Sequence, residues 1–389
     1  MGHVLGFAAE ILIILLMGYV QWQIGRLILN YALRFSPGAA RAVRLFLVAA
    51  GVFIASGLIL SIPKASALPL PWIFAGWNRG AALLWTFSSS CAWVVYRLLL
   101  LMRIPARNFS PTRRALLRAA GGAAVAAPFG LVGFGALVGR TDFQVWEVDV
   151  PVPGLHPDLA GLRLVQLSDI HLSAFLSEKE LARVIDASNQ LRGHVVVVTG
   201  DLISVRGDPL DACLRQLARL RSDSGVLGCL GNHEIYAECE DYTASQGARL
   251  GMPFLRRETR RLRFGDAWMN FGGVDYQKFS LKPDYLRGAE HMIAPGALNI
   301  LLSHNPDVFP VAAQQGWDLT LSGHTHGGQV NVEILHQNLN LARFYTPYVQ
   351  GFYQTGRSSI YVTRGIGTIG MPARLGAAPE ITVLRLKKV

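Results

Sequence analysis

The chain has 389 residues, enough for two domains of ordinary size, and 51% of them are hydrophobic, a share too high for a purely soluble protein. Its net charge of +11 would suit a nucleic-acid binder, but the excess is confined: residues 1 to 144 hold 13 Lys or Arg against only Glu10 and Asp142, and the remainder holds 24 of each sign. Cations lying in and between apolar segments serve membrane topology, so the expected partner is a lipid bilayer and not nucleic acid.

Four segments approach the roughly 20 residues needed to cross a bilayer: Val4 to Gly25, Leu45 to Pro63, Gly80 to Met102 and Ala119 to Gly139. Glu10 in the first and Arg97 in the third are read as snorkelling toward a nearby end or pairing within the bundle. Pro63, Pro69, Pro71, Trp72 and Trp77 suggest a short interfacial loop with aromatic anchors. Arg26, Arg34, Arg41 and Arg44 follow the first span, Lys64 and Arg79 the second, and Arg103, Arg107, Arg113, Arg114 and Arg118 the third. Retained cations mark cytosolic loops, which places both termini, and the C-terminal domain with them, on the periplasmic or outer face of a bacterial inner membrane. The run Thr112-Arg-Arg-Ala-Leu-Leu-Arg118 resembles a twin-arginine export signal away from its usual N-terminal place, while a plain basic loop before a fourth helix predicts the same topology.

From about Thr141 short β-rich runs alternate with helical ones, the pattern of an α/β domain over residues 141–389 after a four-helix transmembrane region over 1–140. Leu162 to Leu167, His194 to Thr199, Val226 to Leu230, Leu298 to Ser303 and Asp318 to Ser322 are expected as strands. Ser177 to Leu191 opens with a Ser-x-x-Glu capping box (Ser177, Glu180), and Pro209 to Arg221 has helical periodicity. Cys91, Cys213, Cys229 and Cys239 contain no C-x-x-C pair and suit small buried hydrophobes better than a disulfide or zinc framework.

Chemistry in such sheets gathers where strands end. The five expected strands end in turn on Asp169 and His171, on Asp201, on Asn232 and His233, on His304, and on His324 and His326, so five of the ten histidines sit at these ends. Alternation along an extended segment would point both members of each i, i+2 pair at one object, for which a metal ion is the first candidate. Gly327 and Gly328 would let the backbone turn away with positive φ and leave the side facing the rings clear.

Asp169-x-His171, Gly200-Asp201, Gly231-Asn232-His233-Glu234, His304 and Gly323-His324-x-His326, in this order, resemble the motifs of the calcineurin-like metallophosphoesterase superfamily. Tyr361-Val-Thr-Arg-Gly-Ile-Gly367, Arg374 and Pro379-Glu-Ile-Thr382 resemble the ending of its bacterial membrane-associated branch. The resemblance implies an αββα sandwich with two divalent ions, one held by Asp169, His171 and His326, the other by Asn232, His304 and His324, with Asp201 as the bridge. Oxygen and imidazole donors without thiolate suit manganese, iron or zinc. It further implies hydrolysis of phosphodiesters or phosphomonoesters, with His233 protonating the leaving oxygen or stabilising developing charge. Ser204 departs from the pattern, because an aspartate is common at that place after Gly-Asp.

Two other functions compete with a membrane-anchored hydrolase acting on an envelope or lipid phosphoester. One is a cytosol-facing pyrophosphohydrolase of a UDP-linked diacylglucosamine; the other is a non-enzymatic membrane scaffold whose metal site is structural. Arg256, Arg257, Arg260, Arg261 and Arg263 could bind anionic headgroups, but a solvated hairpin face with Glu258 and Asp266 nearby is the simpler reading.

Overall fold

The computed structural model describes residues 2–34, 36–59, 72–102, 110–334 and 337–389; of these, the side chains of 2–14, 72, 332–334, 337–339 and 341 lie outside the description. The chain divides into two compact units, Met1–Ala136 with Gly370–Pro372, and Leu137–Ile369 with Ala373–Val389.

The first unit is helical: α1 Gly2–Ala32, α2 Pro37–Ile59, α3 Trp72–Leu101 and α4 Pro111–Phe134, the last running on into a π turn at Gly135–Gly139. Among the described residues three helices are long and apolar enough to cross a membrane, Pro37–Ile59, Ile73–Leu101 and Pro111–Gly139. The expectation of four therefore stands at three; the remaining segment, Val4 to Gly25, falls within α1, and the side chains of its first half lie outside the described residues. α2 exposes Leu45, Phe46, Val48 and Val52, a surface suited to hydrocarbon. The run with Arg113, Arg114 and Arg118 forms the first turns of α4, where the Ser110 hydroxyl accepts the Arg113 N–H at 3.3 Å. The proline-rich segment before Trp72, and Arg103 and Arg107, lie outside the described residues.

The second unit is mixed α/β. In chain order it comprises β1 Gln144–Val152, β2 Arg163–Leu167, α5 Glu178–Gln190, β3 Val195–Thr199, α6 Leu210–Leu217, β4 Val226–Cys229, α7 Asn232–Tyr236 and α8 Glu240–Arg249. Then follow β5 Glu258–Phe264, β6 Ala267–Gly273, β7 Leu298–Leu302, α9 Phe309–Gln315, β8 Leu319–Ser322, β9 Asn331–Ile334, β10 Gln337–Asn340, β11 Gly351–Thr355, β12 Ser358–Val362 and β13 Glu380–Lys388. The five expected strands appear as β2, β3, β4, β7 and β8, displaced at their ends by no more than a residue. Ser177 and Glu180 cap α5 reciprocally, the Ser177 N–H donating to Glu180 Oε2 at 2.7 Å and the Glu180 N–H to Ser177 Oγ at 3.2 Å.

Two sheets result, ordered β1-β13-β2-β3-β4 and β11-β12-β8-β7-β6-β5, beside the small β9/β10 hairpin. β2, β3 and β4 run parallel, as do β6, β7, β8 and β12. Leu164, Val195, Val197 and Leu384 of the first sheet share one apolar layer with Met269, Phe271, Ile300 and Leu321 of the second. The other face of the first sheet, through Val165, Val196 and Val198, clusters with Leu181, Val184 and Ile185 of α5 and Leu214 and Leu217 of α6. Strands buried on both faces read as unbroken apolar runs, which is why Val195-Val-Val-Val198 carries no alternation. The parallel directions bring the carboxyl ends of β2, β3 and β4, and those of β7 and β8, to the residues that follow them.

The five arginines lie on and before the β5/β6 hairpin. Arg256 Nε reaches both carboxylate oxygens of Asp275 at 2.9 and 3.2 Å, and Arg260 and Arg261 are exposed.

Candidate metal centre

Every site residue lies just past a strand end, and the backbone there is unusual. Asp169, His171, Asp201, His324 and His326 have φ of 50°, 47°, 56°, 77° and 53°. Left-handed backbone costs a non-glycine residue of order 1–2 kcal/mol, so neighbouring bonds must hold it. They do: the Asp169 N–H donates to Gly200 O at 3.0 Å, the His171 N–H to Asp201 O at 3.0 Å and the Gly367 N–H to Asp169 O at 2.7 Å. The i, i+2 pairs thus face a common point through left-handed turns and not through the alternation of an extended strand. Gly327 and Gly328 do have positive φ, 60° and 80°, but a Cβ on them would strike Gln350 and Arg364, and Asn340, respectively. Glycines that clear the centre are Gly231, where a Cβ would collide with the Asp201 carboxylate, and Gly323 and Gly365, where it would collide with Asp169.

Buried oxygen and nitrogen atoms converge from both sheets. Asp201 Oδ2 lies 3.0 Å from His304 Nε2, 3.5 Å from His171 Nε2 and 4.0 Å from His233 Nε2. Asp169 Oδ1 lies 3.3 Å from His326 Nε2 and 3.9 Å from His304 Nε2, and the Nε2 atoms of His171 and His326 are 3.2 Å apart. Three overlapping groups have donor atoms close enough to share an ion: Asp169, His171 and His326; His171, Asp201 and His233; and Asp201, His304 and His324. Asn232 is buried at the first position of α7, beside His233, whose N–H donates to Asp201 Oδ1 at 2.9 Å.

The far side of each ring sets which nitrogen faces inward. His171 Nδ1 lies 3.1 Å from Ile203 O, His304 Nδ1 lies 2.6 Å from Thr199 O, and His233 Nδ1 meets Ser204 O. A carbonyl only accepts, so these Nδ1 atoms carry hydrogen and the Nε2 atoms are left for a proton or a cation. Burial then favours neutral rings, holding His171 at about 3 and His324 at about 4, with His326 well below the ordinary value. Burial also lifts Asp169 to about 6, with Asp201 adding to the rise against the pull of His304. Burial alone would lower His304, but the facing Asp201 and Asp169 carboxylates reverse this and hold it at about 10.

The donors fit a metal. Asn232 Oδ1 is buried without a hydrogen-bond partner, and His304 Nε2 faces the Asp201 carboxylate, with Oδ2 3.0 Å away. A buried polar atom left unsatisfied costs of order 1–3 kcal/mol, and a divalent ion removes that cost at Asn232. Oxygen and imidazole donors without a nearby thiolate define a site for a borderline or hard cation.

Three supporting residues were not assigned roles from the sequence. Glu234, fully buried, accepts backbone N–H groups from Asp201 at 3.0 Å, Leu202 at 2.7 Å and Gly231 at 2.7 Å, tying the ends of β3 and β4 together. Ser204 puts Oγ 3.1 Å from His171 Nδ1, so a hydroxyl stands where a charged carboxylate was expected. Arg374, also buried, aims all five N–H groups at four carbonyls, those of Gly367, His326, Ala377 and Arg364. A Glu three residues after Gly231 was a visible signal for the first; the others need the folded chain.

An α/β domain that gathers carboxylates and imidazoles at strand ends of two facing sheets defines a metal-binding hydrolase class. The comparisons make it specific. A family model described as calcineurin-like phosphoesterase matches residues 162–328. The metallophosphoesterase YkuE of Bacillus subtilis is 32% identical over 231 residues, 58% of this chain and 79% of that one. A transmembrane protein with metallophosphoesterase domain from Danio rerio is 32% identical over 260 residues, 63% of this chain and 57% of the relative. Its Bos taurus counterpart is 31% identical over 299 residues, 72% and 65%. The chain belongs to the calcineurin-like phosphoesterase family, and its match spans about three-fifths of the length of these two animal relatives.

Proposed function

We propose that the chain is a membrane-anchored phosphoesterase that hydrolyses phosphodiester or phosphomonoester bonds with two divalent ions, manganese, iron or zinc. Asp169, His171 and His326 would hold one ion, Asn232, His304 and His324 the other, and Asp201 both. When bound, the ions supply the Lewis acidity that activates water and neutralises phosphoryl oxygens. In the reaction a water O–H bond breaks and its proton passes to solvent as the oxygen bonds to phosphorus, the bond from phosphorus to the ester oxygen breaks, and that oxygen takes a proton from His233, which solvent restores. The His233 side chain is 16% exposed whereas those of His171 and His304 are fully buried, so a leaving group can reach it, and partly exposed His324 is the imidazole assigned to an ion. The observation that carries the reading is Asn232 Oδ1, buried without a hydrogen-bond partner, together with the cluster rich in carboxylate and imidazole. Full-length protein loaded with manganese should hold two equivalents and hydrolyse bis-p-nitrophenyl phosphate. Asp201→Asn should lower that turnover by at least ~100-fold. One equivalent or fewer in wild type, or full activity in the variant, would overturn it.

The helices that can cross a membrane and the arginines flanking them support the further proposal of a multi-pass protein of a bacterial inner membrane, with residues 141–389 as the phosphoesterase domain on the periplasmic face. Thr355 is exposed on β11. In a chain without its native cysteines, Thr355→Cys should react with a membrane-impermeant thiol reagent in cells with an intact inner membrane; reaction only after that membrane is opened would place the domain in the cytosol. Neither the UDP-sugar-lipid reading nor the structural-scaffold reading gains support from the relatives.

A further inference from the structure

We propose that the cavity beside His324 holds the hydrocarbon chain of an amphiphilic phosphoester, which makes the substrate a lipid-like ester presented at a bilayer surface. The proposal rests on the phosphoesterase reading and names the substrate class of that same site. The cavity has a volume of 480 Å³, within the range of small-molecule pockets. His324 forms part of its wall, and Tyr276, another wall residue, packs against both His324 and His304 with ring centres 5.2 and 6.0 Å apart. A phosphoryl group at the candidate metal centre therefore has one ester substituent beside this opening.

Three polar side chains of the wall are engaged with the protein itself. Thr346 Oγ1 donates to Asp307 Oδ1 at 2.5 Å, Asn305 Nδ2 to Gln277 O at 2.7 Å, and Thr325 Oγ1 to Val349 O at 2.5 Å. What the cavity chiefly offers a ligand is the apolar and aromatic surface of Tyr276, Phe279, Ala342, Phe344 and Tyr345. A nucleobase could stack on these rings, but its own donors and acceptors would find Asn305, Thr325 and Thr346 already taken. A hydrocarbon chain needs no such partners.

The rim points to a bilayer as the source. Phe344 and Tyr345 are 86% and 84% exposed, and Phe279 and Leu281 are 67% and 48% exposed. Exposed Lys278, Lys282 and Arg343 adjoin them in sequence, and Lys282 Nζ stands 5.6 Å from the centre of the Phe279 ring. Large apolar side chains interleaved with cations are the composition of a surface that rests in the headgroup region of an anionic membrane. The same chain carries helices able to cross a bilayer, so enzyme and amphiphile would share a phase.

The test uses full-length, manganese-loaded protein in phospholipid nanodiscs and a series of p-nitrophenyl alkyl phosphates with methyl, butyl and octyl groups, followed by nitrophenolate release. A buried methylene is worth about a fourfold change, so kcat/KM should rise at least ~10-fold from butyl to octyl even if the chain is only partly enclosed. Ala342→Trp, which fills the cavity, and Phe344→Ser, at an exposed position that leaves folding undisturbed, should each lower the octyl-to-methyl ratio by at least ~10-fold. Equal kcat/KM across the series, an unchanged ratio in both variants, or faster hydrolysis of p-nitrophenyl thymidine 5′-phosphate than of the octyl ester would overturn the proposal while leaving the phosphoesterase reading intact. Hydrolysis of no ester at all, bis-p-nitrophenyl phosphate included, would remove both.

Discussion

Glu234→Gln tests whether the candidate centre is held in place from behind. The carboxylate serves two loops at once: Oε2 accepts from Asp201 N and Gly231 N, and Oε1 from Leu202 N. An amide has one acceptor oxygen. If it replaces Oε2, its NH₂ faces the Leu202 N–H, two donors meet in a fully buried place, and one hydrogen bond becomes an unsatisfied pair costing about 1–3 kcal/mol. Removing the charge has an opposite effect, because burial and then Asp201 both push the Glu234 pKa upward, so the ionised carboxylate is itself disfavoured. The net loss should be near the lower end, about 1–2 kcal/mol, which lowers the melting temperature of a domain this size by roughly 2–8 °C. Because Asp201 N is one of the three donors, the same change should weaken manganese binding about 10- to 100-fold. Calorimetric melting and manganese titration of full-length protein, with exposed Glu258→Gln as the control, measure both. A Glu234→Gln protein with wild-type melting temperature and wild-type manganese affinity would refute the idea that this carboxylate sets the position of Asp201.

Asp169 has a folded pKa of about 6 against an ordinary 3.8, so metal-free protein binds its proton more tightly when folded; this group's contribution should decline as pH rises from about 4 to about 6, by up to ~3 kcal/mol, and urea midpoints across that range check the sign. A cation competes with that same proton, so manganese affinity should rise up to about tenfold per pH unit below pH 6, and a flat profile from pH 5 to 6 would contradict the assignment. His233→Ala should keep its metal and lose at least ~100-fold in turnover of an ester with a poor leaving group, with a smaller loss for p-nitrophenolate; equal losses would remove the proton-donor role. Arg374→Met should destabilise by about 3–5 kcal/mol and Arg374→Lys by less, since an ammonium has three donors for four carbonyls; two variants as stable as wild type in urea would show that the guanidinium does not hold the loops after β12.

Much of the second unit could be read from local pattern. Val195-Val-Val-Val198 and Ile300-Leu-Leu302 are continuous apolar runs bounded by polar residues, and Ser177 with Glu180 marks the start of α5. The chemical groups at the strand ends were visible because polar residues after a buried strand are few and repeat five times. How they point was not visible. Asp and His enter the left-handed region more readily than most residues, but at Asp169 and His324 it is bonds to residues far along the chain that fix it. The roles of Ser204 and Arg374 are likewise long-range, and the distance from Asp201 to Glu234 in sequence hides that three N–H groups share one carboxylate. The first span shows the reverse limit: composition marks Val4 to Gly25 as apolar, yet only α2, α3 and α4 carry that reading within the described residues.

The place of β13 has a consequence for biogenesis. It lies between β1 and β2, paired parallel to the former over nine positions from Gln144↔Glu380 to Val152↔Lys388 and antiparallel to the latter. β1 continues directly from the chain that leaves the helical unit, and within its sheet it is bonded to β13 and to no other strand. While residues 380–388 are still to come, β1 has no place in the sheet and β2 shows an open edge to any other chain. The domain's hold on its own tether is thus the last ladder to close, and a ribosome or translocase that delivers this chain from its N-terminus must shelter two strands until it does. Shortening the chain before Glu380 should yield aggregated material and not a smaller folded domain.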